Sequence, residues 1–278
     1  MELIDAQIHP LRPASNWSPT FTKEQKIEAS VELALAAMDA VGVHGAVVNG
    51  TLDFCRGHVD RCPDRFAAVP FILDDQLDPS FAADEFVDEL AALPGIVGMR
   101  MYIGDEVHRR LFVEGRHDRY FSAASRTRLP VFITPHGATS AMHDVFSANP
   151  DVTFVVDHLG LYTPPIIPDG VVDLFGELEE VLSLAQHPNV VVKLTGAPSL
   201  ASGPYPFSDI WPLVHRFLDG FGVGRLMWGS DLTRCAPLHC YRESVDFLLC
   251  SDEVSESDKE MLFSGSVRRW LDWPKPAM

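Results

Sequence analysis

The sequence predicts an α/β protein built as a (β/α)8 TIM barrel, with some distortion, in a single domain over residues 1–278. Three observations lead there. Eight short apolar runs recur along the chain, helical patterns separate them, and polar residues follow the same end of most runs.

The runs lie at residues 3–8, 45–49, 67–71, 97–102, 131–134, 153–157, 190–194 and 225–228. Most are continuous stretches of Val, Ile, Leu and Phe rather than alternating ones, as expected of parallel strands covered on both faces. The helical pattern is clearest over 23–41, where Ile27, Val31, Leu35 and Met38 recur at spacings of three and four. Thr22 is placed to cap its start and Gly42 to end it. Further helices are expected over 84–93, 116–128, 140–148, 174–186, 210–218 and 238–249, with only a brief one within 53–63. A doubly wound open sheet is the alternative, but no glycine-rich dinucleotide fingerprint follows the first run. Long segments at 9–22, 160–172 and 196–209 are rich in Pro, Gly or aromatics. All three fall on the C-terminal side of strands, where barrel enzymes keep their sites.

Composition excludes several classes. With 46% hydrophobic and 22% charged residues the chain has material for a large core. A net charge of −17 argues against a nucleic-acid binder, which needs a basic patch, and against docking on an anionic membrane. The five cysteines (Cys55, Cys62, Cys235, Cys240, Cys250) contain no Cys-x-x-Cys pair and read as reduced thiols. No basic-then-apolar leader opens the sequence, and no apolar run approaches the ~20 residues needed to span a bilayer. A cytoplasmic protein is expected.

The polar residues at the run ends are Asp5, Gln7 and His9; Arg100 and Tyr102; His136; Asp157 and His158; Lys193 and Thr195; and Ser230 and Asp231. Each has a bland reading. A lone histidine after a strand is usually a satisfied loop or core residue, Lys193 reads equally as a solvated rim residue, and Asp5 can simply hold loop backbone. Their joint position at one end of the barrel is harder to dismiss, since buried charges cost several kcal/mol unless paired or used.

These pieces resemble the amidohydrolase superfamily, in particular its amidohydrolase-related (amidohydrolase 2) branch, which includes sugar lactonases and 2-pyrone-4,6-dicarboxylate hydrolase. The matching segments are IDAQIH (4–9), VGMR (97–100), TPHG (134–137), VDHLG (156–160), VKLTG (192–196) and LMWGSD (226–231), in the family's order along nearly the whole chain. The resemblance implies a hydrolase cleaving a small lactone or ester, which could itself bear a carboxylate. Asp231, His158, His136 and His9 would be catalytic, with Asp231 as general base on the attacking water. Gln7, Arg100, Tyr102 and Lys193 would bind substrate.

In metal-bearing members a divalent cation sits at positions that carry over to Gln7, His9, His136 and Asp231. Gln7 departs from the family's histidine there, and an amide is a poor zinc ligand. The expectation is therefore that no cofactor is required; the alternative is one divalent cation, Zn2+, on His9, His136 and Asp231. The partner expected is a small-molecule substrate, with a homodimer as the default assembly. The loop aromatics Trp17, Phe21, Tyr162, Tyr205 and Trp211 would either stack on a flat substrate ring or simply pack the loops. Arg234, Cys235 and His239 receive no role. Two other functions stay open: a non-oxidative decarboxylase on the same fold, and a catalytically silent barrel that binds a small ligand.

Overall fold

The computed structural model describes residues 1–10, 20–165, 167 and 170–273. Eight parallel strands run through it: β1 (Ile4–Ile8), β2 (Gly45–Gly50), β3 (Phe66–Pro70), β4 (Met99–Tyr102), β5 (Val131–Thr134), β6 (Phe154–Val156), β7 (Val190–Lys193) and β8 (Leu226–Met227). They pair as two ladders, β1-β2-β3 and β4-β5-β6-β7-β8. Single backbone bonds cross both seams. Val97 N donates to Ala68 O at 2.9 Å and Ile72 N to Arg100 O at 2.8 Å, while Ala6 N donates to Trp228 O at 3.1 Å and Asp231 N to Gln7 O at 3.0 Å. This is a (β/α)8 barrel with thin seams, matching the expected fold and its distortion.

Two packing clusters explain the unbroken apolar runs. Val47, Ala67, Val69, Phe132, Val155, Val191 and Met227 form one, while their strand neighbours Val48, Ala68, Ile133, Val156 and Val192 join the larger cluster with the helices. Alternate residues thus line the barrel's inside and its outer wall. The same alternation sends Thr134, Asp157 and Lys193 inward, two residues beyond Phe132, Val155 and Val191. Gly98 keeps Phe132 in place: a Cβ there would meet the Phe132 ring at 2.7 Å.

The helices are α1 (Lys23–Val41), α2 (Leu52–Arg61), α3 (Ala83–Ala92), α4 (Glu106–Val113), α5 (Asp118–Thr127), α6 (Thr139–Ala148), α7 (Leu178–Ser183), α8 (Trp211–Phe221), α9 (Leu232–Cys235), α10 (Tyr241–Leu249), α11 (Glu256–Glu260) and α12 (Ser266–Trp270). For α1 the local signals suffice. Thr22 and Gln25 form a reciprocal capping box, Gly42 ends the helix at φ 78°, and Ile27, Val31, Ala34 and Met38 face the core.

Four expectations need adjusting. In place of a brief helix within 53–63 there is a ten-residue one, Leu52–Arg61. The helix expected over 174–186 shortens to α7 and a 3-10 turn. The run at 225–228 keeps only two residues of strand pairing. Finally, α4, α9, α11 and α12 were not anticipated. Among the described residues no helix is long and apolar enough to cross a membrane.

Candidate active site

The strand ends deliver a buried polar cluster. At its base Lys193 is fully buried, its Nζ 2.7 Å from Asp157 Oδ1 and 4.7 Å from the centre of the Phe132 ring, and it also donates to Gln7 Oε1. It is no rim residue. Arg100 Nε donates to Asp157 Oδ2 at 2.5 Å, and Arg100 Nη2 to Thr134 Oγ1 at 3.1 Å. Burial opposes a charge on Asp157, but Lys193 and Arg100 hold its carboxyl well below the usual range. Burial also pulls Lys193 down from the ammonium range, against the pull of Asp157. We take the triad as ionised, because Asp157 has two cationic partners.

Above this base lie Gln7, His9, His158, Asp231 and Arg234. His9 Nδ1 donates to the Asn49 carbonyl at 2.8 Å, which leaves Nε2 as its variable atom, 3.3 Å from Asp231 Oδ1. Asp231 is fully buried, and Arg234 Nε grips its other oxygen. Burial would raise the Asp231 carboxyl, but the His9 contact and the Arg234 charge hold it well below the carboxylate range. Arg234 Nη2 also reaches His158 Nδ1 at 3.0 Å and Thr163 Oγ1 at 2.7 Å. Burial and the Arg234 charge keep His158 far below its usual pKa, hence neutral.

His158 and Leu159, in the turn after β6, and Asp231, after β8, all sit at positive φ, 52°, 56° and 53°. Left-handed non-glycine residues cost of order 1–3 kcal/mol and gather at functional sites.

The hydrogen inventory leaves a gap. Gln7 Oε1 is occupied by Lys193, so its amide NH2 faces His9 Nε2 at 3.3 Å and His158 Nε2 at 3.2 Å. The Arg234 donor on His158 Nδ1 puts that ring's proton on Nε2. Arg100 Nη2 is 3.5 Å from the same atom. One Gln7 N–H is accepted by the His9 Nε2 lone pair, while its second N–H, the His158 Nε2–H and an Arg100 N–H converge with no acceptor among these three, an arrangement that an oxygen atom would satisfy.

The other expected residues lie around this cluster. His136 is buried against Tyr162, ring centres 4.7 Å apart, and its Nε2 has no partner among the described residues. Burial, then the Arg234 and Arg100 charges, lower its pKa to about 3. Tyr102 stands 42% exposed at the mouth, edge-on to His108. Asp5 accepts from Ser230 N at 2.9 Å, Tyr241 Oη at 2.9 Å and Gln7 N at 3.0 Å, as well as from Ser230 Oγ. It pins β1 to the residues after β8, the bland role foreseen for it. Trp211 packs in the core beside Phe247, Tyr205 lies against Phe207, and Phe21 is 40% exposed. Trp17 lies outside the described residues.

Sequence reasoning missed Arg234. The available signal was its place three residues after Asp231 in a short helical turn, which brings the two side chains together. Asn49 was missed too, since its backbone carbonyl, not its side chain, fixes His9.

The donor set fits a divalent cation poorly. Gln7 offers an NH2 where a ligand needs a lone pair, and Arg234 already holds Asp231. Among the described residues no three His, Cys, Asp or Glu side chains are arranged to hold a metal, so His9, His136 and Asp231 do not converge as a ligand set.

The amidohydrolase family model matches residues 4–273. The chain belongs to the amidohydrolase family. It is an enzyme of that superfamily, as the segments from IDAQIH to LMWGSD implied. An L-fucono-1,5-lactonase of Burkholderia ambifaria is 39% identical over 83 residues, 30% of this chain and 27% of that protein. The match thus spans little more than a quarter of that relative's length. An amidohydrolase of Burkholderia multivorans with bound zinc superposes at a TM-score of 0.74 with 20% identity, covering 99% of this chain and all of the other. A candidate 2-pyrone-4,6-dicarboxylic acid hydrolase of Pseudomonas putida does so at 0.71 with 18% identity, over 98% of each chain. Decarboxylases share the fold at TM-scores of 0.59 to 0.60.

Proposed function

We propose that this amidohydrolase cleaves a small lactone or ester by direct attack of water, without a metal. The approach of Gln7 Nε2 and Arg100 Nη2 to His158 Nε2, at 3.2 and 3.5 Å, is the observation that carries the reading. It has the form of an oxyanion hole, with donors fixed before the charge develops.

Water attacks the carbonyl carbon, and its proton passes to Asp231 and His9, which act as one unit across 3.3 Å. Asp231 alone is a weak base, because Arg234 stabilises its anion; His9 Nε2 gives the proton a second place to reside. The carbonyl oxygen, now anionic, takes the three N–H donors. Collapse of the tetrahedral species breaks the C–O bond, and the proton returns from the Asp231–His9 unit to the departing alkoxide. The product is a hydroxy acid, or an acid and an alcohol. His136 presents its free Nε2 to the substrate, Arg100 and Tyr102 border it, and Lys193 acts through Gln7, whose amide it orients. A lactone or ester suits this site because its alkoxide leaves more readily than an amine. The partner is one small molecule; the net charge of −17 speaks against a polyanion.

The test is kcat on a lactone panel for wild type and Asp231→Asn, with elemental analysis and chelator treatment alongside. We expect a drop of about 10²–10⁴-fold in the folded variant, and wild-type activity that survives chelation in metal-free protein. Near-native turnover by Asp231→Asn would overturn the mechanism. Chelator-sensitive activity with stoichiometric zinc would overturn its metal-free form. Release of carbon dioxide from an aromatic acid would replace hydrolysis by decarboxylation.

A further inference from the structure

A cavity of about 280 Å3 opens beside the site, at the ends of β3 and β4. Phe71, Ile72, Leu73, Leu77, Met101 and Tyr102 supply most of its walls. Two of its boundary groups also belong to the site. Arg100 lines the cavity and reaches Asp157 and His158 with its guanidinium. Phe71 lines it and lies 5.9 Å, ring centre to ring centre, from His9. The Arg100 guanidinium rests 5.3 Å above the Phe71 ring, so these two side chains form the shared wall. The cavity begins one side chain away from the oxyanion donors.

Its chemistry is one-sided. A dry apolar cavity of about 150 Å3 takes benzene, so this one has room for a six-membered ring and a few atoms more. The charged groups at its edge are committed to each other: His108 lies 2.8 Å from Asp105 and 3.0 Å from Asp74. The Tyr102 hydroxyl, at the mouth, and His117, deeper in, are the exceptions. His117 is the buried one. It is 1% exposed, and its Nδ1 has no partner among the described residues. One free imidazole nitrogen can meet one polar atom of a ligand. A ring bearing several hydroxyls would lose water here without replacement hydrogen bonds, at a cost of about 1–3 kcal/mol each.

We propose that this cavity receives an apolar, ring-sized substituent next to the scissile ester, so that the preferred substrate is an aryl- or alkyl-substituted lactone rather than a polyhydroxylated one. The inference rests on the hydrolase reading and names its substrate class.

The experiment compares kcat/KM for γ-butyrolactone and γ-phenyl-γ-butyrolactone in wild type and in Leu73→Trp, whose indole would fill the cavity from its exposed edge. In parallel, calorimetry compares binding of tetrahydrofuran and 2-phenyltetrahydrofuran, which have no carbonyl to cleave. A preference for the phenyl lactone of at least about tenfold, collapsing toward unity in the variant, is the expected result. Equal kcat/KM for both lactones would overturn the inference and leave the hydrolase reading standing. If neither lactone is cleaved, the hydrolase reading fails for this class and the binding data decide the cavity. Tighter binding of 2-phenyltetrahydrofuran, lost in Leu73→Trp, upholds it; equal or absent binding of the two ethers overturns it. Should Leu73→Trp fail to fold, Leu73→Phe is the milder filling, judged by the same ratios.

Discussion

Lys193 and Lys23 carry the same ammonium in opposite settings. Lys23 pairs with Asp53 in solvent, the two side chains 63% and 60% exposed, whereas Lys193 pairs with Asp157 where neither is exposed at all. An exposed pair contributes little, because water and salt screen it and two long side chains must be ordered. Breaking a buried pair leaves an uncompensated charge, at about 3–5 kcal/mol. Lys193→Met should therefore lower unfolding free energy by roughly that amount in urea titration, while Lys23→Met should leave it unchanged within error. A loss below about 1 kcal/mol for Lys193→Met would mean that Arg100 alone suffices for Asp157. Sequence alone could not separate these lysines. The partners that bury Lys193 lie 36 and 186 residues away, at Asp157 and Gln7, and only the closed barrel brings them together. Asp231 and the three histidines stood out because each falls within three residues of the end of an apolar run and inside a family-like segment; Arg234 lies outside those segments, and its spacing from Asp231 points inward only once the turn after β8 is known to be helical.

At the scale of elements, legibility followed locality. The capping box, the stop glycine and the buried stripe of α1 all lie within its own residues, so its bounds were read to the residue. Most strand bounds drifted by a residue or more, as over 67–71 for Phe66–Pro70, since a continuous apolar run does not say where pairing ends; only 131–134 matched its strand, Val131–Thr134, to the residue. The helix α4 escaped because Glu106–Val113 carries an Arg-rich stretch with only Phe112 buried; Asp105, which caps it, was the usable signal. The end of α5 shows a local rule broken. Arg128 sits there at φ 59°, the left-handed conformation that Gly42 supplies at the end of α1. Its side chain is exposed, so little packing opposes replacement. Arg128→Gly should stabilise the protein by about 0.5–1 kcal/mol, since relief of left-handed strain exceeds the added chain entropy of glycine. The midpoint of thermal unfolding should rise by about 1–3 °C. A lower midpoint would mean that the Arg128 side chain makes a net favourable contact.

For the whole molecule, the response to acid should be set by buried imidazoles before carboxylates. Burial lowers His117 from 6.5 to about 4, with His108 and Arg119 adding to it, and His136 falls to about 3. Folding thus holds both rings neutral. Between pH 6.5 and those values the unfolded chain binds more protons than the native one, so stability is full above pH 6.5 and is lost as pH falls. The His117 share approaches about 3 kcal/mol by pH 4. Asp5 works the other way. Burial raises it from 3.8 to about 6, against the hydrogen bonds it accepts, so the native state protonates first and gains stability as pH drops through that window. These two imidazoles, joined by His158, His58 and His239, which burial also lowers, outweigh one carboxyl and leave a net loss that begins below pH 6.5, before Asp157 and Asp231, held low by their cations, start to be protonated. His117→Leu separates the terms. Urea midpoints for wild type and variant at pH 7.5, 5.5 and 4 should shift in the variant's favour by about 3 kcal/mol over that range, whatever the offset at pH 7.5. A gap that stays constant with pH would show that His117 takes up its proton in the folded barrel as readily as in the unfolded chain.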